Sequence, residues 1–165
     1  MSPVDICQWI QNTSLSTSIR ESVWLFPIIE TTHVLGLAVS VGTVVWFDLR
    51  LLGVGMKHQP VGEVFRQIMR FCVWGFMLMF ITGGLLFWSA PVELYLSVYF
   101  RIKIALLVLA GLNAAVFQFH TLPKVDTWDP MAKSPTGARV IAGISLALWT
   151  GVVLFGRATA YNVFH

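Results

Sequence analysis

Val23–Phe47 reads VWLFPIIETTHVLGLAVSVGTVVWF, and this stretch decides the fold. Trp24 and Trp46 bracket it 22 positions apart, which is roughly 33 Å along an α-helix. That distance matches the two aromatic belts of a bilayer. Between the tryptophans only Glu30 and His33 are ionisable. The stretch therefore predicts a membrane-crossing helix. Working outward, Phe71–Trp88, Val98–Phe119 and Val140–Gly156 are further apolar runs, near the roughly 20 residues a crossing needs. Val61, Val64, Phe65, Ile68 and Met69 share one face ahead of the second run, with Glu63, Arg66, Gln67 and Arg70 opposite. That amphipathic lead-in starts the second helix near Gly62. With flanking turns, the spans are expected at about 23–47, 62–88, 98–119 and 138–158.

Composition agrees. Of 165 residues, 56% are apolar and only 12% charged, with a mean hydropathy of +0.74. The charged share is about half that of a soluble domain. Disordered, coiled-coil and ordinary soluble-enzyme classes are excluded. Two cysteines exclude a disulfide scaffold and a thiolate metal cluster. The net charge of +3 comes from dispersed residues at the edges of apolar runs, so the lipid bilayer is the expected partner and nucleic acid is not. The fold expected is an all-α integral membrane protein, a four-transmembrane-helix bundle forming one domain over 1–165.

Residues 1–17 form an expected interfacial segment. Ser2-Pro3-Val4-Asp5 has the cap, first-turn proline and early acid of a helix start. Ile6, Cys7 and Ile10 then form a small apolar stripe, suited to a short helix on the membrane surface. No basic n-region or cleavage site marks a removable signal. Ser18 with Glu21 predicts a capping box opening the first span. Thr121–Thr136, with Pro123, Pro130 and Pro135, is expected to be irregular. Arg50, Lys57, Arg66, Arg70, Lys124, Lys133 and Arg139 fall on one side, seven against the four of Arg20, Arg101, Lys103 and Arg157. The positive-inside rule places loops 48–61 and 120–137 in the cytoplasm and both termini in the periplasm.

Polar groups inside a bilayer are costly, so they mark candidate sites. Glu30 and His33 lie roughly 9 and 14 Å below Trp24, and Thr82 and Met79 are at matching depths below Trp88. Lys103 and Arg157 lie about one turn from Tyr99 and Tyr161. The expected arrangement is a polar chamber in the outer half of the bundle. Glu30, His33, Leu37 and Ser40 share a face, as do Cys72, Gly75, Met79, Thr82 and Gly83, and Lys103, Leu106, Ala110, Asn113, Phe117 and His120. Gly143, Ala147 and Gly151 form a small-residue seam for close packing. Thr150, Leu154, Arg157 and Tyr161 form an adjacent line.

His33 is the strongest candidate, because it lies too deep to reach the interface and sits beside an acid. An imidazole there suits a metal or tetrapyrrole. A haem b held by His33 and Met79 and a five-coordinate tetrapyrrole on His33 are both open readings. Lys103 and Arg157 suit haem propionates or an anionic or quinone ligand, and proton or quinone exchange suits Glu30, Thr82 and Tyr161. His120 with His58 is a second-site candidate in the inner half. Glu30-x-x-His33 has the spacing of half a di-iron site, but no other span supplies a carboxylate. The leading expectation is a redox or electron-transfer subunit. The alternative is a non-catalytic accessory subunit of a larger membrane complex or homo-oligomer, with the polar cluster serving packing. A transporter or channel is a third option, but the chain is short for one without oligomerising, and its sequence shows no paired broken helices of the kind transporters use.

Phe26-Pro27-Ile28-Ile29-Glu30-Thr31-Thr32-His33-Val34-Leu35-Gly36-Leu37-Ala38 resembles the opening of an uncharacterised bacterial family of small four-span membrane proteins. Asp48-Leu49-Arg50-Leu51-Leu52-Gly53 resembles that family's next segment. Lys103 with Asn113, and Gly156-Arg157 followed by Tyr161, resemble its later landmarks. The resemblance implies architecture and a bacterial inner-membrane location, and it implies no chemistry. Similarity to four-helix b-type cytochromes is weaker, because those use histidine pairs at matched depth.

Overall fold

The computed structural model describes residues 2–55, 59–129 and 134–164, and every regular element among them is helical. Two short helices come first, α1 over Pro3–Gln11 and α2 over Ser14–Glu21. Four long helices follow, each apolar and long enough to cross a membrane. These are α3 over Leu25–Leu52, α4 over Val61–Ser89, α6 over Val98–Val116 with its continuation, and α8 over Thr136–Phe164. Between them lie the short helices α5, Pro91–Leu96, and α7, Val125–Trp128. The chain is an all-α four-helix bundle.

The α1 start follows its sequence signal. Asp5 N donates to Ser2 Oγ at 3.2 Å, and Ser2 N donates to Asp5 Oδ2 at 2.6 Å. The second capping expectation is corrected. Thr13 caps α2, whereas Ser18 sits in its middle, and the first span opens instead on Ser22, whose Oγ accepts from Leu25 N at 3.1 Å. α1 docks on α5, with Gln11 Nε2 donating to Glu93 Oε1 at 3.1 Å. Trp88 Nε1 donates to Thr13 Oγ1 at 3.0 Å. These contacts lay α1, α2 and α5 across the end of the bundle that carries both termini, called here the terminus face. The opposite end is the loop face.

The first span runs past its expected end at Phe47 to Leu52. Asp48 and Arg50 are tolerated there because they point inward and are buried. Arg50 donates from Nε and Nη2 to Gln59 O at 2.9 and 2.6 Å, tying the end of α3 to the chain returning into α4. Gly53 then stops the helix at φ 79°, a left-handed conformation that costs glycine little.

The region expected to be irregular is partly helical. Past α6 the chain makes a π-turn at Phe117–Thr121 and a tighter turn at Leu122–Lys124 before α7. α7 delivers Asp129, whose Oδ1 and Oδ2 accept from Val61 N at 2.5 Å and Gly62 N at 3.0 Å. These are free amides of the α4 N-terminus, where a carboxylate is also favoured by the helix dipole. Asp129→Ala is expected to lower unfolding stability by about 1 kcal/mol, read as a lower midpoint in thermal unfolding in detergent. An unchanged midpoint would contradict this capping role.

Around the bundle, α4 packs on α3, α3 on α8, and α8 on α6, while the backbones of α4 and α6 lie further from each other and Phe87 and Phe100 reach across between them. Val61, Val64, Leu51, Phe117 and Trp128 form a tight core toward the loop face. Phe47 meets Phe65 and Phe117 there, with ring centroids 5.5 and 5.3 Å apart. A second core joins Val41, Ala110, Trp149 and Val152 at mid-depth. In α8 the inward line is Ala138, Ala142, Ser145, Trp149 and Val152. Gly143 and Ala147 are exposed, so most of the expected packing seam faces outward. Of that trio only Gly151 approaches another span, where an added Cβ would meet Leu106 at 2.9 Å.

Candidate functional site

The site begins with a close approach of two helices. A Cβ at Gly75 would lie 2.8 Å from the backbone nitrogen of Ser40, so α4 meets α3 there without a side chain between them. A turn nearer the terminus face, Gly36 leaves room for Met79, whose Cγ would be 3.2 Å from an added Cβ. A further turn on, Gly83 does the same for His33, whose Cε1 would be 3.1 Å from one. Three glycines thus bring α3 and α4 together and fix the imidazole against α4.

His33 Nδ1 lies 2.9 Å from Thr82 Oγ1. The Thr82 hydroxyl donates its one hydrogen to Leu78 O at 2.7 Å. A hydroxyl has no second hydrogen to give, so it accepts from the ring. The neutral imidazole then carries its proton on Nδ1 and its lone pair on Nε2, a tautomer assigned from this valence argument. Thr82 is itself buried, which keeps the pairing out of competition with water. Half-buried Lys103 enters from α6. Its chain lies over Gly156 of α8, with Cε 3.7 Å and Nζ 3.9 Å from where a Cβ would stand. The arrangement offers one oriented nitrogen lone pair and a cation in a largely apolar setting.

The other expected site residues fall out differently. Met79 is buried beside this pair, but its sulfur faces Ser40 Oγ at 2.9 Å, and that hydroxyl also lies 2.8 Å from Gly36 O. Glu30 is half-buried one turn from His33. Arg157 and Tyr161 lie on the outward face of α8, with Thr150 and Leu154, and not toward the chamber. Tyr161 is 68% exposed. His120 is exposed in the π-turn at the loop face. His58 lies outside the described residues. Among the described residues no three His, Cys, Asp or Glu side chains come together as a metal-binding group.

One buried group escapes a reading of the sequence by spans. Asp48 is only 4% exposed. By sequence it is expected at the start of the cytoplasmic loop 48–61. The signal was available: continuing the line of Glu30, His33, Leu37 and Ser40 by helical steps passes Val44, Asp48 and Leu51.

No protein-family model, curated protein or solved structure matches this chain.

Proposed function

We propose that the chain is a membrane-embedded redox subunit in which His33 Nε2 holds a haem-type tetrapyrrole. The observation that carries this reading is the His33–Thr82–Leu78 relay. Histidines that ligate metals characteristically donate their other ring N–H to an acceptor, which fixes the ring and strengthens the ligand. The ammonium of Lys103 suits an anionic substituent such as a haem propionate. The sulfur of Met79 is turned to Ser40, so the reading takes a single protein axial ligand, the five-coordinate alternative. Bound haem supplies a one-electron couple, with its potential set by the axial ligand and the burial around it. The chain's own part is to orient His33 and to shield the site with packed helices.

The proposed setting is a bacterial inner membrane, with the terminus face periplasmic and the loop face cytoplasmic. The excess of Lys and Arg toward the loop face supports this orientation.

A second reading has its own support. Gly42, Gly84 and Gly143 have open space around them, and Ala147 is exposed beside Gly143. Such surfaces let a helix of another subunit or a second copy approach closely. An accessory subunit would use them, with the polar cluster serving packing.

Extraction of tetrapyrrole from purified protein separates the two readings. Near-equimolar pigment is expected in the wild type and little or none in His33→Ala, with both variants equally folded by circular dichroism. Wild-type protein free of pigment after expression with added haem precursor would overturn the redox reading and favour the accessory one.

A further inference from the structure

The gap between α4 and α6 is a groove with a cavity volume of about 490 Å³, within the usual range of small-molecule sites, about 300–1,000 Å³. Nearer the terminus face Phe87 of α4 and Phe100 of α6 stack with centroids 5.7 Å apart. Phe65 and Phe117 approach across its loop-face end, 6.1 Å apart. Its rim includes Val73, Phe80 and Phe119, all exposed on the surface that a bilayer would cover. A ligand would enter sideways from the hydrocarbon. It must therefore be lipid-soluble.

The groove is not uniformly apolar. Asp48 lines it, and Asp48 Oδ2 has no hydrogen-bond partner among the described residues although it is buried. A buried polar atom without a partner is costly and calls for an explanation. Ser145 stands beside the same carboxyl, and Thr43 faces Cys72 along the wall. Asn113 also lines the groove and donates an amide hydrogen to Ile141 O at 3.2 Å. Phe47, Phe76 and Trp149 supply flat apolar surface around these groups.

We propose that this groove is a lateral binding site for a lipid-soluble quinone or quinol, with the ring between the aromatic walls and one oxygen at Asp48. A protonated carboxyl donates to a quinone carbonyl, and an ionised one accepts from a quinol hydroxyl, so one residue serves both forms. An anionic phospholipid headgroup or a fatty-acid carboxylate is disfavoured beside a buried acid. A plain acyl chain leaves Asp48 Oδ2 unpaired. The aromatic walls favour a ring over a flexible chain. The site is separate from the Glu30 and Thr82 region, where the sequence had suggested a quinone. The choice of a redox-active ring among neutral amphiphiles rests on the redox reading of His33, while the binding itself does not need that site.

The test uses the full-length protein in neutral phosphatidylcholine nanodiscs, titrated with decylubiquinone. Quinones quench tryptophan emission, and Trp149 lies in the groove wall. Saturable quenching is expected, with its amplitude reduced in Trp149→Phe. Gly111→Phe places a ring in the groove mouth at a position whose added Cβ meets nothing within 4 Å, so folding is spared. This variant and Asp48→Leu are each expected to weaken binding at least tenfold. Quenching that never saturates, or that is unchanged in Gly111→Phe, would overturn the proposal. Wild-type protein that binds quinone but carries no pigment would retain the groove and refute the His33 reading. Pigmented protein with unsaturable quenching would do the reverse.

Discussion

Gly75→Leu is expected to separate α3 from α4 and to cost about 3 kcal/mol or more of stability, toward the upper end for overpacked cores. The reason lies in what the new side chain meets. An added Cβ would stand 2.8 Å from Ser40 N, 2.9 Å from Ser40 Cβ and 3.0 Å from Ser40 Cα. Two of these atoms are backbone, so no rotamer change relieves the clash, and the helices must move apart. Movement there also loosens the seats of Met79 and His33, because Gly36 and Gly83 work in the same contact. Thermal unfolding in detergent should show a large drop in midpoint. Gly111→Leu is the control, at an open position on the groove rim, and should leave the midpoint nearly unchanged. Equal midpoints for the two variants would contradict this account of the helix crossing.

Thr82→Val should weaken retention of the proposed cofactor about 10–100-fold, the range usual for lost partners of metal-bound histidines. Valine keeps the shape of threonine but cannot accept from His33 Nδ1. The imidazole then loses the bond that sets its tautomer and orientation. Thr82→Ser keeps the hydroxyl and should retain most of the affinity. That contrast separates an orienting role from simple packing, since serine disturbs packing more than valine does. Equal pigment loss in both variants would argue against the orienting role.

Much of the bundle was legible in the sequence because a bilayer imposes simple demands. Trp24 and Trp46 marked the first span, although its helix runs on to Leu52, and both are exposed, as belt residues should be. The face of α4 was read correctly. Gly75, Met79 and Thr82 are buried, while Trp74, Met77 and Phe80 are exposed. On α8 the reading failed for a physical reason. Small residues lie on both sides of that helix, so spacing alone did not distinguish Ala138 and Ala142, which are buried, from Gly143 and Ala147, which are not. α5 was missed because Pro91–Leu96 is too short to show a helical period. The inward turn of Asp48 and Arg50 was missed because charges near a span end usually reach for water. In Arg50 a distant partner, Gln59 O, supplies what water would have supplied.

The candidate site was half legible. Depth paired Thr82 with Glu30 and Met79 with His33, whereas the structure joins Thr82 to His33 at 2.9 Å. The Met79 sulfur lies 2.9 Å from Ser40 Oγ, a neighbour that depth alone does not reveal. Arg157 fell away because it faces outward from the bundle while its neighbour Gly156 lies against Lys103.

The most direct test of the central claim is the absorption spectrum of protein purified from its own membranes, recorded oxidised and then reduced, beside that of His33→Ala. The account predicts a Soret band that shifts on reduction in the wild type and is absent from a folded His33→Ala variant. A colourless wild-type protein, or a band that survives the loss of His33, would contradict it.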